Sequence, residues 1–149
     1  MILVDTNLLG RMTDSSDPLC ASARASVQCL WSRNEGLAIV PQVLFEFWAV
    51  ATRSVGPPPT GQNGLGMGCD RAGNWLRFFR RRFSFLPDRI EMFERWQMLV
   101  QLHAITGFKS HDARLVAAMH TYGISRILTF NDRDFKRLGV SVIDPTSVL

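Results

Sequence analysis

Acidic residues stand where strand-like and helix-like patterns of this chain meet. Asp5 follows the apolar run Ile2-Leu3-Val4, and Glu46 interrupts Leu44-Phe45 and Phe47-Trp48. Asp112 follows Ser110 by two residues, and Asp132 and Asp134 come just after Arg126–Phe130. Each has an ordinary account of its own. Asp5 could cap a helix or make a turn, and Asp112 could complement a helix dipole. Glu46 could sit in a buried ion pair, and the last two acids could be solvated. Their conjunction implies more. Carboxylates held together repel one another unless a cation neutralises them. A donor set made only of oxygen favours Mg²⁺ or Mn²⁺ over zinc. Such an ion can activate a bound water and polarise a phosphodiester. Asp5 and Asp112 are the expected metal ligands. Glu46 and Asp134 would complete a four-carboxylate catalytic set.

The elements that must position these residues can be read from pattern. Ile2-Leu3-Val4 suits a buried parallel strand, and Asp5-Thr6-Asn7 ends it. Asp17-Pro18 marks a helix start, with the helix running to about Asn34. Leu37–Val40 reads as the second strand, and Pro41 opens the next helix. Asn74–Phe83 reads as a helix, followed by a short strand at Phe83–Leu86. Asp88–Thr106 is the longest helical pattern. Ser110 is the expected cap of a helix from about His111 to Tyr122, which Gly123 ends. Arg126–Phe130 and Ser141-Val142-Ile143 are the last two strands. Strands separated by helices indicate a three-layer α/β fold with a mostly parallel sheet of four to five strands. Ligands of such sheets bind beyond the carboxyl ends of the strands. That edge gathers Asp5, Glu46, Asn131, Asp132 and Asp134. Asp112 joins them only if its helix begins beside the site.

Composition bounds the alternatives. The 149 residues suit one domain spanning 1–149, with 46% hydrophobic and 20% charged residues, as in a folded soluble protein. The longest nearly apolar run, Val43 to Ala51, is far short of the roughly 20 residues that a membrane helix needs. The start MILVDTN lacks the features of a secretory signal, so a cytoplasmic location is expected. Cys20, Cys29 and Cys69 are odd in number and form no C-x-x-C, which argues against a disulfide framework or a zinc knuckle. The net charge of +4 is compatible with a phosphate-bearing partner.

Four segments together resemble the PIN domains, in particular the VapC-like toxins of bacterial toxin–antitoxin pairs. They are Ile2-Leu3-Val4-Asp5-Thr6-Asn7, Pro41–Phe47, His111–Ala118 and Leu128–Phe135, and their order spans nearly the whole chain. The resemblance implies a PIN fold, Mg²⁺-dependent endoribonuclease activity on RNA, a small cognate antitoxin and a homodimer. It places Asp5, Glu46 and Asp112 on the first three acidic positions, with Thr6 and Asn7 steadying the first. The fourth position often carries Asp in a Thr-x-Asp pattern. Here Thr129 is followed by Asn131, so Asp134 or Asp132 must supply the charge, and a second metal site is in question.

Other features have weaker readings. Arg77, Arg80 and Arg81 share a helix face that is either solvated or a backbone-binding stripe for RNA. Arg114 could pair with a site acid or with the antitoxin's tail. The Gly- and Pro-rich segment Gly56 to Gly68 lacks the strand–turn–helix setting of a dinucleotide fingerprint, so it is a flexible or tightly turned loop, or a flap over substrate. His103, His111 and His120 are read as structural. Three functions compete with the nuclease of RNA. A haloacid-dehalogenase-like phosphatase expects a second Asp where Asn7 stands. A non-catalytic PIN-like module would dock RNA or a partner, and Asn131 favours it. Cleavage of DNA is the third, because metal-bound phosphate chemistry does not select ribose.

Overall fold

The computed structural model describes residues 1–148, so Leu149 at the end of the expected domain lies outside it. One sheet contains β1 (Ile2–Val4), β2 (Leu37–Ile39), β3 (Ser84–Phe85), β4 (Arg126–Leu128) and β5 (Ser141–Ile143). Its spatial order is β3-β2-β1-β4-β5. All four pairings are parallel, where the sequence pointed to a mostly parallel sheet. The helices are α1 (Thr6–Thr13), α2 (Cys20–Ser32), α3 (Pro41–Thr52), α4 (Cys69–Arg82), α5 (Glu91–Leu102), α6 (Lys109–Tyr122) and α7 (Asp132–Lys136). Ile2, Leu3 and Val4 are wholly buried, as a central strand covered on both faces requires.

Strand order and handedness fix the layers. From β1 the chain moves outward through β2 to β3, then returns to β4 and continues outward to β5. Right-handed crossovers put α1 to α4 on one face and α5 to α7 on the other. The packing agrees: α1 lies against α2 and α3, α3 against α4, α5 against α6, and α6 against α7. The direction of winding reverses between β1 and β4, and this reversal opens a crevice at their carboxyl ends.

Several boundaries differ from the sequence reading for local reasons. α2 begins at Cys20, not Pro18, because the Asp17 carboxylate holds the turn before it by accepting from the Leu19 N–H at 2.8 Å. α5 is shorter than the Asp88–Thr106 pattern, since Ala104 and Gly107 adopt positive φ of 48° and 62°. α6 begins at Lys109 with no side-chain cap, so Ser110 is not its cap. β4 stops at Leu128, and beyond it the Thr129 hydroxyl bonds to Asp5 and the Phe130 N–H to Asn7. Asp132 and Asp134, read as loop residues, lie on α7. Gly123 does end α6, in the left-handed conformation at φ 65°. Among the described residues, no helix is long and apolar enough to cross a membrane.

The Gly56–Gly68 segment is tightly turned. Its backbone folds back on the end of α3: Leu65 N–H donates to Val50 O at 3.0 Å, Gly66 to Arg53 O at 2.9 Å and Met67 to Ala51 O at 2.8 Å. These bonds satisfy carbonyls that a helix end otherwise leaves open. A Cβ on Gly64 would stand 2.1 Å from the Arg53 carbonyl oxygen, so only glycine permits the approach.

Candidate active site

Asp5 is the N-cap of α1 and only 7% exposed. Its Oδ1 accepts from the Thr6 N–H at 2.6 Å. Its Oδ2 accepts from Asn7 Nδ2 at 2.8 Å and from Thr129 Oγ1 at 2.6 Å. Thr129 is fully buried, and its hydroxyl in turn accepts from Asn7 Nδ2 and the Asn131 N–H, both at 2.9 Å. Asn7 Oδ1 accepts from the Phe130 N–H at 3.2 Å. Thr6, Asn7, Thr129 and Asn131 thus tie the ends of β1 and β4 together around one carboxylate.

Glu46 lies on the second turn of α3, and its side chain is half-buried. Thr6 Oγ1 donates to Oε2 at 2.6 Å and Gln42 Nε2 to Oε1 at 2.8 Å. Gln42, itself 5% exposed, also donates to the His111 carbonyl at 2.9 Å and accepts from Arg114 Nη1 at 2.8 Å. Arg114 Nη2 reaches Asp88 at 2.9 Å. Arg114 therefore pairs with Asp88, and it meets Glu46 only through Gln42. The His111 ring lies 3.9 Å from Glu46, a loose approach.

Asp112 sits in the first turn of α6 and faces the same crevice. A cavity of about 480 Å³ is lined by Asp5, Thr6, Asn7, Asp112 and Asn131, and it extends past them to Arg11, Asn63 and Leu65. Asp134 lies on the far side of Asp112, beside Lys109 at 3.0 Å, and accepts from Asn131 Nδ2 at 3.2 Å. Asp132 turns away to Lys136 at 2.7 Å. Of the two acids after β4, only Asp134 is brought to the cluster.

The electrostatics follow from this arrangement. Burial, with a contribution from Glu46, raises Asp5 from 3.8 to about 6 despite its hydrogen bonds. Burial and the charges of Asp5, Asp134 and Glu46 raise Asp112 to about 6 as well. Asp134 is lowered, chiefly by Lys109 and then by Asn131. Asp5 and Asp112 thus lack a counter-charge adequate to keep them ionised at their ordinary range. Among the described residues, no three His, Cys, Asp or Glu side chains are drawn together as a ready-made cage. Mg²⁺ needs none, since it commonly takes one or two carboxylates and keeps its waters. The oxygen-only pair Asp5 and Asp112 fits such an ion.

Arg77, Arg80 and Arg81 do not line this cavity. Arg77 bonds to Asn74 on its own helix, and Arg80 lies 3.8 Å over the Phe85 ring. Sequence reasoning missed Gln42, Lys109 and Arg11 as neighbours of the site. Each had a readable signal: Lys109 is three residues before Asp112, Gln42 four residues before Glu46, and Arg11 four residues after Asn7 on α1. Asn63 and Leu65 belong to the Gly56–Gly68 segment, for which a flap over substrate is one of the readings, and that loop brings them to the cavity.

No family model and no curated protein matches the chain. Solved structures do. VapC20 of Mycobacterium tuberculosis, a sarcin-ricin-loop-cleaving toxin, superposes with a TM-score of 0.68 at 16% identity, covering 91% of this chain and 94% of that one. VapBC2 of Rickettsia felis, bound to promoter DNA, gives 0.69 at 16% identity over 96% and 98%. A toxin–antitoxin complex from Klebsiella pneumoniae gives 0.65 at 19% identity over 97% and 98%. The crevice at the winding reversal and this likeness over nearly the whole chain agree: the chain has the PIN-like fold of the VapC structures.

Proposed function

We propose that this protein is a divalent-metal-dependent endoribonuclease, the toxin of a toxin–antitoxin pair. The observation that carries the reading is that Asp5 and Asp112 line one cavity with Glu46 beside them, Asp5 raised to about 6 by burial and Glu46, and Asp112 raised to about 6 by burial and by Asp5, Asp134 and Glu46. A site with that electrostatic cost is built for a cation. Bound there, Mg²⁺ or Mn²⁺ would supply Lewis-acid activation of a water and of the phosphodiester.

The chain's own residues do the rest. Asp5 and Asp112 hold the ion. Asp5 is fixed by three donors, so its free lone pairs have one direction to face. Glu46, clamped by Thr6 and Gln42, would position the metal or an ordered water. Asp134, already paired with Lys109, bounds the crevice and adds negative potential near Asp112. Thr129, Asn7 and Asn131 keep the two strand ends in register. Arg77, Arg80 and Arg81 would steer a polyanion along α4, an attraction that salt weakens. A cognate antitoxin is proposed from the toxin–antitoxin complexes with which the fold is shared, and a homodimer from the family resemblance of the sequence.

The reading is tested by cleavage of a pool of structured and single-stranded RNAs in Mg²⁺, Mn²⁺ or EDTA, with wild type, Asp112→Asn and Glu46→Gln. Cleavage that needs both the metal and Asp112 supports it. Asn131, uncharged where the fourth acid is expected, favours a second reading, a non-catalytic module that docks RNA or a partner. No cleavage together with no stabilisation by metal would establish that module instead. Cleavage of DNA as readily as RNA would move the assignment to a general nuclease.

A further inference from the structure

The cavity that holds Asp5 and Asp112 continues beyond them into a chamber of different chemistry. Its apolar wall is Val50 and Leu65, with the wholly buried Phe47 behind them, and its polar groups are Arg11, its partner Asp17, and Asn63. A metal site needs neither. Arg11 spends Nη1 on Asp17, at 3.0 and 3.1 Å to the two carboxylate oxygens, and its guanidinium lies 5.1 Å from the centre of the Phe130 ring. Among the described residues, its Nε and Nη2 and the Asn63 side-chain amide have no hydrogen-bond partner. The Asp17 partner offsets the Arg11 charge, which makes it a poor phosphate clamp and a better donor to a neutral acceptor. Asn63 is held at φ 54° by the loop that folds back on α3, with its N–H on Gly56 O at 2.8 Å. The amide is therefore presented from a fixed backbone.

The geometry points to this chamber as a nucleobase subsite, next to the scissile phosphate and selective for guanine. An unstacked RNA base is recognised by apolar contact with its face and hydrogen bonds to its edge. Guanine offers two adjacent acceptors, O6 and N7, to a guanidinium fork, while the Asn63 amide can donate or accept at the same edge. The inference rests on the nuclease reading for its substrate, but its test does not rest on turnover.

The probes are labelled single-stranded RNA hexamers, all uridine or with one central G, A or C. Binding is measured by fluorescence anisotropy in EDTA, so that no metal-dependent cleavage occurs. One G should tighten binding about tenfold over all-uridine, and A or C by less than about threefold. Asn63→Gly, which retains the left-handed backbone, and Arg11→Lys, which loses the fork, should each bring the G ratio below about threefold. Melting curves confirm that both variants fold. A ratio near one in the wild type overturns the subsite. So does a ratio retained in both variants, or no binding of any hexamer. The same hexamers are then scored for cleavage in Mn²⁺. Discrimination without cleavage keeps the subsite and overturns the nuclease; cleavage without discrimination does the reverse.

Discussion

Asp112→Asn should stabilise the metal-free protein at neutral pH while abolishing its chemistry. The Asp112 side chain takes part in no hydrogen bond among the described residues, so the amide orphans no donor. What it removes is a carboxylate pressed by burial and by Asp5, Asp134 and Glu46. The rise from 3.8 to about 6 would correspond to roughly 3 kcal/mol for a fully enclosed group. Asp112 is only half enclosed, and water screens the repulsion, so about 1 kcal/mol is the realistic gain. For a chain of this size that raises Tm by about 3 °C.

The pH dependence fixes the cause. An acid whose folded pKa is raised binds its proton more tightly when folded. Its penalty is absent below 3.8, grows as pH rises through the window from 3.8 to about 6, and is complete above it. Melting curves in EDTA should therefore separate wild type from variant at pH 7.5 and converge near pH 4. An Asp112→Asn protein that melts below wild type at pH 7.5, or by the same margin at every pH, would refute the argument. Asp5→Asn is not an equivalent experiment. Its amide nitrogen must face either the Thr6 N–H or the pair Asn7 and Thr129, donor against donor in both orientations. It should destabilise, although it too removes a buried charge.

Mn²⁺ should raise Tm strongly at pH 7.5 and little at pH 5, because there it competes with protons on Asp5 and Asp112, both near 6; equal shifts would place the ion elsewhere. Gln42→Leu leaves Glu46 short of a donor and Arg114 and the His111 carbonyl short of partners. It should cost about 1–3 kcal/mol in urea denaturation and slow cleavage; wild-type stability would show the network to be passive. Gly64→Ala forces a Cβ against the Arg53 carbonyl and should cost about 1–3 kcal/mol, read from the same denaturation midpoint. Expression without an antitoxin should arrest growth, and Asp112→Asn should relieve the arrest; equal toxicity of the variant would count against the toxin reading.

The parts of the fold that were legible rest on local signals. Ile2-Leu3-Val4, Leu37-Ala38-Ile39 and Arg126-Ile127-Leu128 are runs that only a doubly covered sheet buries, and Gly123 marks a helix end by its own backbone freedom. α7 was not legible. Its five residues, Asp132–Lys136, show no helical period and read equally well as a polar loop. The start of α6 was misplaced because Ser110 has a cap's chemistry, yet its carbonyl instead accepts the Trp96 indole N–H at 2.9 Å, a contact between elements. In the site, Asp5 and Glu46 could be placed by strand ends and by an acid's anomaly in an apolar helix. The choice of Asp134 over Asp132 had no local signal behind it, since what separates the two is their partners, Lys109 for Asp134 and Lys136 for Asp132.

The arrangement also explains why this crevice tolerates its own repulsion. Asp5 is the N-cap of α1, so the hydrogen bond that starts the helix also holds the charge in place. Its other oxygen is tied to Thr129 at the end of β4, on the other side of the reversal in winding. Glu46 is fixed through Thr6, the residue after Asp5, and through Gln42, which contacts α6 at the His111 carbonyl. Moving Asp5 or Glu46 outward to relax the repulsion would break a cap, a strand-end tie or a bond between layers. Asp112 alone has no such tie, so its charge can be removed without dismantling the site. Folding energy from the rest of the sheet thus holds the other acids where the isolated residues would not remain, and a bound cation would relieve the cost.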